Sequence, residues 1–180
     1  KISKQHQSLQ IGVPKEMADQ EKRMPIKPSS VGVLVANGHQ VLIESGAGDS
    51  ANFSDKEYSE VGAQIAYSPK EVFECRTVLK VEPPTLEEIE LMKPGSTLIS
   101  AFQAGKQNVK YLEAINRKKL IAIAYEFIQD KVGGLPLVRA MSEVAGSTVM
   151  VIAAEYLSSS HHGRGVILGG ITGVPPTRVV

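Results

Sequence analysis

Over residues 9–125 the sequence alternates short β-rich runs with helical segments. The connections between them are too short for anything except crossover units. That alternation predicts an α/β fold, a mostly parallel Rossmann-like sheet with helices on both faces. The expected strands are residues 9–13, 40–44, 63–67, 77–81, 97–101 and 120–125, and the continuous apolar run of the last predicts burial on both sides. A helix over residues 30–37 follows Pro28 and stops at Gly38, a natural residue just past a helix end. Three further helix starts pair a hydroxyl residue with a glutamate three positions on: Ser54 with Glu57, Ser68 with Glu71, and Thr85 with Glu88. Each pair predicts a capping box, in which two otherwise orphaned backbone N–H groups are satisfied reciprocally. A fifth helix is expected over residues 108–117. After Pro136 the texture changes: residues 141–157 read as one long helix, apolar on most faces, which should be buried or bridge two domains. A polar loop and a glycine-rich stretch over residues 165–173 follow. These shifts divide the chain into 1–138 and 139–180.

Composition narrows the function classes. With 20 Lys and Arg against 19 Asp and Glu, the formal charge is +1, so the basic footprint of a nucleic-acid or membrane-surface binder is missing. A hydrophobic share of 42% and a charged share of 22% exclude a disordered chain. The longest run without a charged residue, 165–177, carries two prolines and falls short of the roughly 20 apolar residues of a spanning helix, so no membrane segment is expected. Residues 1–10 lack the apolar core of a signal peptide. The single cysteine, Cys75, allows no internal disulfide and suits a reducing, cytoplasmic setting.

Ligands of open parallel sheets bind outside the carboxyl ends of the strands. Lys80 lies at the end of the fourth run, Gln103 two residues past the fifth, Glu126 just after the sixth, and Arg23 in the long loop after the first. An arginine and a lysine converging there would clamp a carboxylate, the first by two parallel hydrogen bonds and the second as a point charge. Lys80 stands out because it interrupts an apolar strand, whereas Glu126 reads first as a structural partner for a neighbouring group. Cys75 reads as a small buried hydrophobe. His161 and His162 are adjacent and point apart, so no metal site is expected. The dinucleotide fingerprint G-x-G-x-x-G is absent: Gly46-Ala47-Gly48 lacks the third glycine, Gly163-Arg164-Gly165 runs into a strand instead of a helix, and Gly169-Gly170 to Gly173 reads as a turn.

Several blocks together resemble one family. Ile11-Gly12-Val13-Pro14-Lys15-Glu16 with Arg23 and Pro28 is similar to the N-terminal signature of the alanine dehydrogenase and nicotinamide nucleotide transhydrogenase family. Gly46-Ala47-Gly48 with Phe53-Ser54-Asp55, Val78-Leu79-Lys80-Val81, and Met141-Ser142-Glu143-Val144-Ala145-Gly146 resemble later blocks of the same family, as does the stretch from Gly163 to Val180. The resemblance implies two α/β domains with substrate and nicotinamide meeting in a cleft. It implies that Arg23 and Lys80 hold the carboxylate of a small amino acid or 2-oxo acid. It also implies that Met141 and Ser142 contact an NAD cofactor from the start of a linker helix, and that the protein forms homo-oligomers. Lys80 and Gln103 are the catalytic candidates. The family's dehydrogenases carry a histidine where this chain has Gln103, and glutamine exchanges no proton at neutral pH. Transhydrogenases have a glutamine nearby and transfer hydride directly.

Three activities therefore remain open: an alanine-type NAD-dependent dehydrogenase, a transhydrogenase-like hydride transfer, and a catalytically silent sensing or assembly domain. The final Arg178-Val179-Val180 reads as the opening of a further strand, the first of a truncated nucleotide-binding domain. On that expectation the 180-residue chain by itself binds NAD weakly and is inactive.

Overall fold

A computed structural model describes residues 8–18 and 20–177. The chain divides into two compact units, Lys1–Glu126 and Phe127–Val180.

The first unit is a six-stranded, all-parallel sheet. Its strands are β1 (Gln10–Val13), β2 (Gln40–Glu44), β3 (Gln64–Ala66), β4 (Thr77–Leu79), β5 (Thr97–Ser100) and β6 (Ile121–Ala124), in the spatial order β3-β2-β1-β4-β5-β6. The intervening helices are α1 (Pro28–Ala36), α2 (Asp55–Glu60), α3 (Pro69–Phe73), α4 (Leu86–Leu91) and α5 (Val109–Arg117). Register decides which face each helix covers. Gly12 pairs with Leu42 and Val78, so Ile11, Val13, Val41 and Ile43 point to the other face. There they form one core with Val31 of α1 and Tyr58 of α2. On the Gly12 face, Val78 and Leu98 pack with Phe73, Ile89, Met92, Tyr111 and Ile115 from α3, α4 and α5. The α/β sheet with helices on both faces is thus as the alternation predicts.

Local chemistry explains most boundaries. Pro28 occupies the first turn of α1, and Gly38, at φ +86°, takes the left-handed conformation that ends it. Ser54 and Thr85 form the expected capping boxes with Glu57 and Glu88. Ser68 does not. In the five-residue α3 the Glu71 N–H turns to the Ser68 carbonyl at 3.1 Å, leaving the hydroxyl without a capping role.

β6 corrects another expectation. It pairs only with β5, at the edge of the sheet, and Ile121 and Ile123 are 57% and 39% exposed. An apolar run reveals a strand that tolerates burial, not its position in the sheet.

In the second unit, α6 (Pro136–Leu157) starts five residues earlier than expected, because Pro136 suits a first helical turn. None of its residues is buried, so of the two expectations, burial or bridging between domains, the first is not met. It is long enough to cross a bilayer, and its most apolar 18 residues have mean hydropathy 1.4. Arg139, Glu143 and Glu155 interrupt it, which is why no uncharged run of spanning length occurs there. The segment after Gly163-Arg164-Gly165 is irregular, not a strand. Ile171 and Val174 close a turn through reciprocal backbone hydrogen bonds, with Gly173 at φ +85°, as the glycine spacing predicts. The expected strand opening at Arg178-Val179-Val180 lies outside the described residues.

Burial in the first unit leaves a pH signature. Desolvation pushes the Tyr58 and Tyr111 hydroxyls up to about 12 and the Cys75 thiol up to about 11. A folded value above the unfolded one means the unfolded chain gives up its protons first, so unfolding is favoured as pH climbs. The contribution of these groups is intact below about pH 9, the ordinary thiol range, and is lost progressively as pH rises through the folded values. Denaturant midpoints at pH 8, 10 and 11.5 should fall in that order, and the Tyr58→Phe variant should lose less between pH 10 and 11.5.

Candidate active site

The strand order reverses between β1 and β4, which makes their carboxyl ends the switch point where open α/β sheets bind ligands. Two polar clusters occupy that edge.

The first is buried. Lys80 follows β4 directly and is 2% exposed, so it is no solvated surface charge. Its Nζ lies 3.3 Å from Glu16 Oε2 and donates to Glu88 Oε1 at 3.0 Å, 5.9 Å from the centre of the Phe73 ring. Glu16 comes from the loop after β1, and its other oxygen accepts the Val81 N–H at 2.6 Å. Glu88 belongs to the α4 capping box and accepts the Thr85 N–H through Oε2. Burial is the largest influence on Glu16 and pushes its carboxyl above the usual carboxylate range, against the Lys80 charge and the backbone N–H groups of Val81 and Glu82. One cation thus sits between two carboxylates, one of which holds its proton more tightly than usual.

The second cluster is half open. The Arg23 side chain is 50% exposed; its guanidinium grips Glu21 through Nε at 2.8 Å and Nη2 at 2.5 Å. Hydrogen bonding to Arg23 is the main reason the Glu21 carboxyl is held below its ordinary value, and the same contact raises Arg23. Nη2 also lies 3.8 Å from Glu82 Oε1, while Glu82 Oε2 accepts from Gln103 Nε2 at 2.9 Å. Gln103 adopts φ +47°, a left-handed conformation unusual for a residue with a side chain. Glu126 stabilises that turn by accepting the Phe102 and Gln103 N–H groups on Oε1, both at 2.8 Å. Desolvation acts to raise the Glu126 carboxyl, but the N–H groups of Gln103, Glu126 itself and Phe102 outweigh it and leave the group lowered. The Tyr125 hydroxyl donates to the Val81 carbonyl at 2.8 Å and ties β6 to the strand end that carries Lys80.

The structure therefore joins Arg23 to Gln103 through Glu82, and engages Lys80 in the neighbouring buried cluster. Glu126 holds backbone, in keeping with a structural reading. Met141 and Ser142 belong to the second unit and lie in the second turn of α6. Their own N–H groups fall inside the helical ladder, so the helix-start argument does not apply to them. Sequence reasoning missed Glu16, Glu82 and Glu88 as site residues. The strand-end rule covers the first two, since each lies three residues past a strand end, β1 for Glu16 and β4 for Glu82; Glu88 is hidden by its capping role. Cys75 is fully buried and desolvation raises its thiol, in keeping with a small buried hydrophobe. Among the described residues no group of three His, Cys, Asp or Glu side chains could hold a metal ion.

Residues 12–145 match the family model described as alanine dehydrogenase/PNT, N-terminal domain. The chain belongs to this family. A curated alanine dehydrogenase of Methanococcus maripaludis is 40% identical over 171 residues, covering 94% of this chain and 46% of that protein. Alanine dehydrogenase 2 of Staphylococcus aureus is 37% identical over 171 residues, covering 95% and 46%. Among solved structures, an L-alanine dehydrogenase superposes with TM-score 0.87 at 40% identity, covering 93% of this chain and 46% of that one. A transhydrogenase from Sinorhizobium meliloti follows with TM-score 0.59 at 28% identity, covering 66% and 35%. The chain thus spans about half the length of the alanine dehydrogenases it matches, and the likeness extends to the fold of that half.

Proposed function

We propose that this chain is the substrate-side half of an NAD-dependent amino-acid dehydrogenase of the alanine type, catalysing reversible oxidative deamination of L-alanine to pyruvate. The observation that carries the reading is the 40% identity to an L-alanine dehydrogenase together with Arg23, a half-exposed guanidinium at the carboxyl edge of the sheet. Arg23 would take the substrate carboxylate by exchanging Glu21 for it, one bidentate partner for another. Lys80 would add positive charge behind that subsite. With Gln103 able to hydrogen-bond the substrate oxygen but unable to exchange its proton, proton transfer would fall to Lys80, buried beside Glu16, or to water.

NAD supplies the hydride chemistry in this reading. The described residues contain no glycine turn between a strand and a helix able to cradle a pyrophosphate, so they do not fit the whole cofactor. Met141 and Ser142 would contribute by side chain only. We further propose a cytoplasmic homo-oligomer in which α6 packs against protein, since charged groups at 139, 143 and 155 are costly inside a bilayer.

Gln103 favours a second reading, direct hydride transfer between nicotinamides as in transhydrogenases, which needs no side-chain acid or base. A chimera in which residues 8–177 replace the matching segment of the Methanococcus maripaludis relative separates the two. The first reading expects NADH oxidation that depends on pyruvate and ammonium. The second expects isotope exchange between two nicotinamide nucleotides with no 2-oxo acid present.

A further inference from the structure

We propose that Glu82 sets the substrate preference of this site, favouring a small zwitterion such as an α-amino acid over the corresponding 2-oxo acid anion. The inference rests on the reading of Arg23 as the carboxylate binder and adds to it the identity of the group that faces the substrate's other end.

Glu82 is 32% exposed, and its two oxygens meet different donors: Oε1 lies 3.8 Å from Arg23 Nη2, and Oε2 accepts from Gln103 Nε2 at 2.9 Å. A guanidinium and an amide converging on the two oxygens of one carboxylate is the arrangement by which proteins recognise carboxylate ligands. Here the protein's own side chain fills it. A carboxylate that replaces Glu21 on Arg23 must still displace Glu82 or share the guanidinium with it. Two residues past Lys80, Glu82 is tethered by the chain and remains beside the ligand in either case. Its charge then repels an anion and attracts an ammonium group. Lys80 offsets this field only in part, because Glu16 and Glu88 flank its charge. Glu21, released from Arg23 but still two residues away along the chain, and Glu126, beside Gln103, add negative charge around the same ligand position. An amino acid brings its own cation to such a site; a 2-oxo acid brings only the negative charge.

Calorimetric titration of the 180-residue chain and its Glu82→Gln variant with L-alanine and with pyruvate tests this. Glutamine keeps the size and one acceptor oxygen, and the partial exposure of Glu82 lets circular dichroism confirm that the variant is folded. The ratio of the pyruvate to the alanine dissociation constant should fall about tenfold in the variant, with pyruvate binding tighter and alanine weaker. A ratio unchanged within about twofold, or one that rises, overturns the proposal. Arg23→Gln tests the underlying reading separately: unchanged affinity for both ligands puts the carboxylate elsewhere, whatever Glu82→Gln does. Failure of both ligands to bind either the unmodified chain or Glu82→Gln overturns both.

Discussion

Replacing Lys80 with methionine should destabilise the first unit by about 3–5 kcal/mol, the usual cost of breaking a buried ion pair from one side. The side chain is 2% exposed and its two partners are 5% and 11% exposed, so removing the cation leaves two carboxylates facing one another with little water to screen them. Methionine keeps the length and the apolar stem, which separates lost charge from lost packing. The sign of the pH dependence gives a second check. Burial already raises the Glu16 carboxyl, and without Lys80 the loss of its opposing charge raises it further. A carboxyl with a raised folded value stabilises the fold below its ordinary value and loses that contribution as pH rises through the folded one. The variant should therefore be closer to the unmodified chain at pH 5 than at pH 8 in urea titrations. Adding Glu16→Gln and Glu88→Gln should recover at least half of the loss at pH 8, and glutamine at 88 retains the capping box with Thr85. A variant equally stable at both pH values, and not improved by the added glutamines, would mean the cluster is held by packing instead of charge.

Gly12→Val should be the most damaging single change on the sheet, at about 3 kcal/mol or more. A Cβ built on Gly12 would lie 2.1 Å from the Val72 carbonyl oxygen and 2.9 Å from Val72 Cγ1. The glycine is required for space, since α3 brings its backbone against β1 at that point. Because the nearest atom is backbone, Val72→Ala should not rescue the variant. Gly105→Ala is the control, with nothing within 4 Å of the added Cβ, and its thermal midpoint should barely move. The consequence reaches the site, because Gly12 pairs with Val78 two residues before Lys80 and lies four residues before Glu16. A shift of α3 away from β1 would pull apart the strand ends that carry both.

These two residues also mark what the sequence could and could not disclose. Periodicity and punctuation gave the elements, because Pro28, Gly38, Ser54 and Thr85 act on their own neighbours within a turn. Strand order is hidden, since it depends on which parallel ribbons pair across 20 or more residues. With it is hidden the fact that Glu16 and Lys80 follow adjacent strands, β1 and β4. Lys80 was legible as an ionisable group inside an apolar run. Of its carboxylate partners, Glu88 reads first as a capping residue, and Glu16 lies within reach of the strand-end rule but carries no local signal that pairs it with Lys80. Glu82 escaped for a different reason: its significance lies in bridging Arg23 and Gln103, three residues from three separate loops. The exposure of α6 and β6 was misread because apolar composition records what a surface could contact and says nothing about where that contact comes from.

The claim that joins these observations is that the carboxyl edge of β1, β4 and β5 belongs to an amino-acid dehydrogenase whose substrate carboxylate is held by Arg23. Its most direct test is the chimera carrying residues 8–177 in the Methanococcus maripaludis relative, assayed with pyruvate, ammonium and NADH. The account predicts one NADH consumed for each alanine formed, with Arg23→Gln raising the pyruvate KM at least about tenfold. A folded chimera that turns over neither pyruvate nor any other small 2-oxo acid would contradict it.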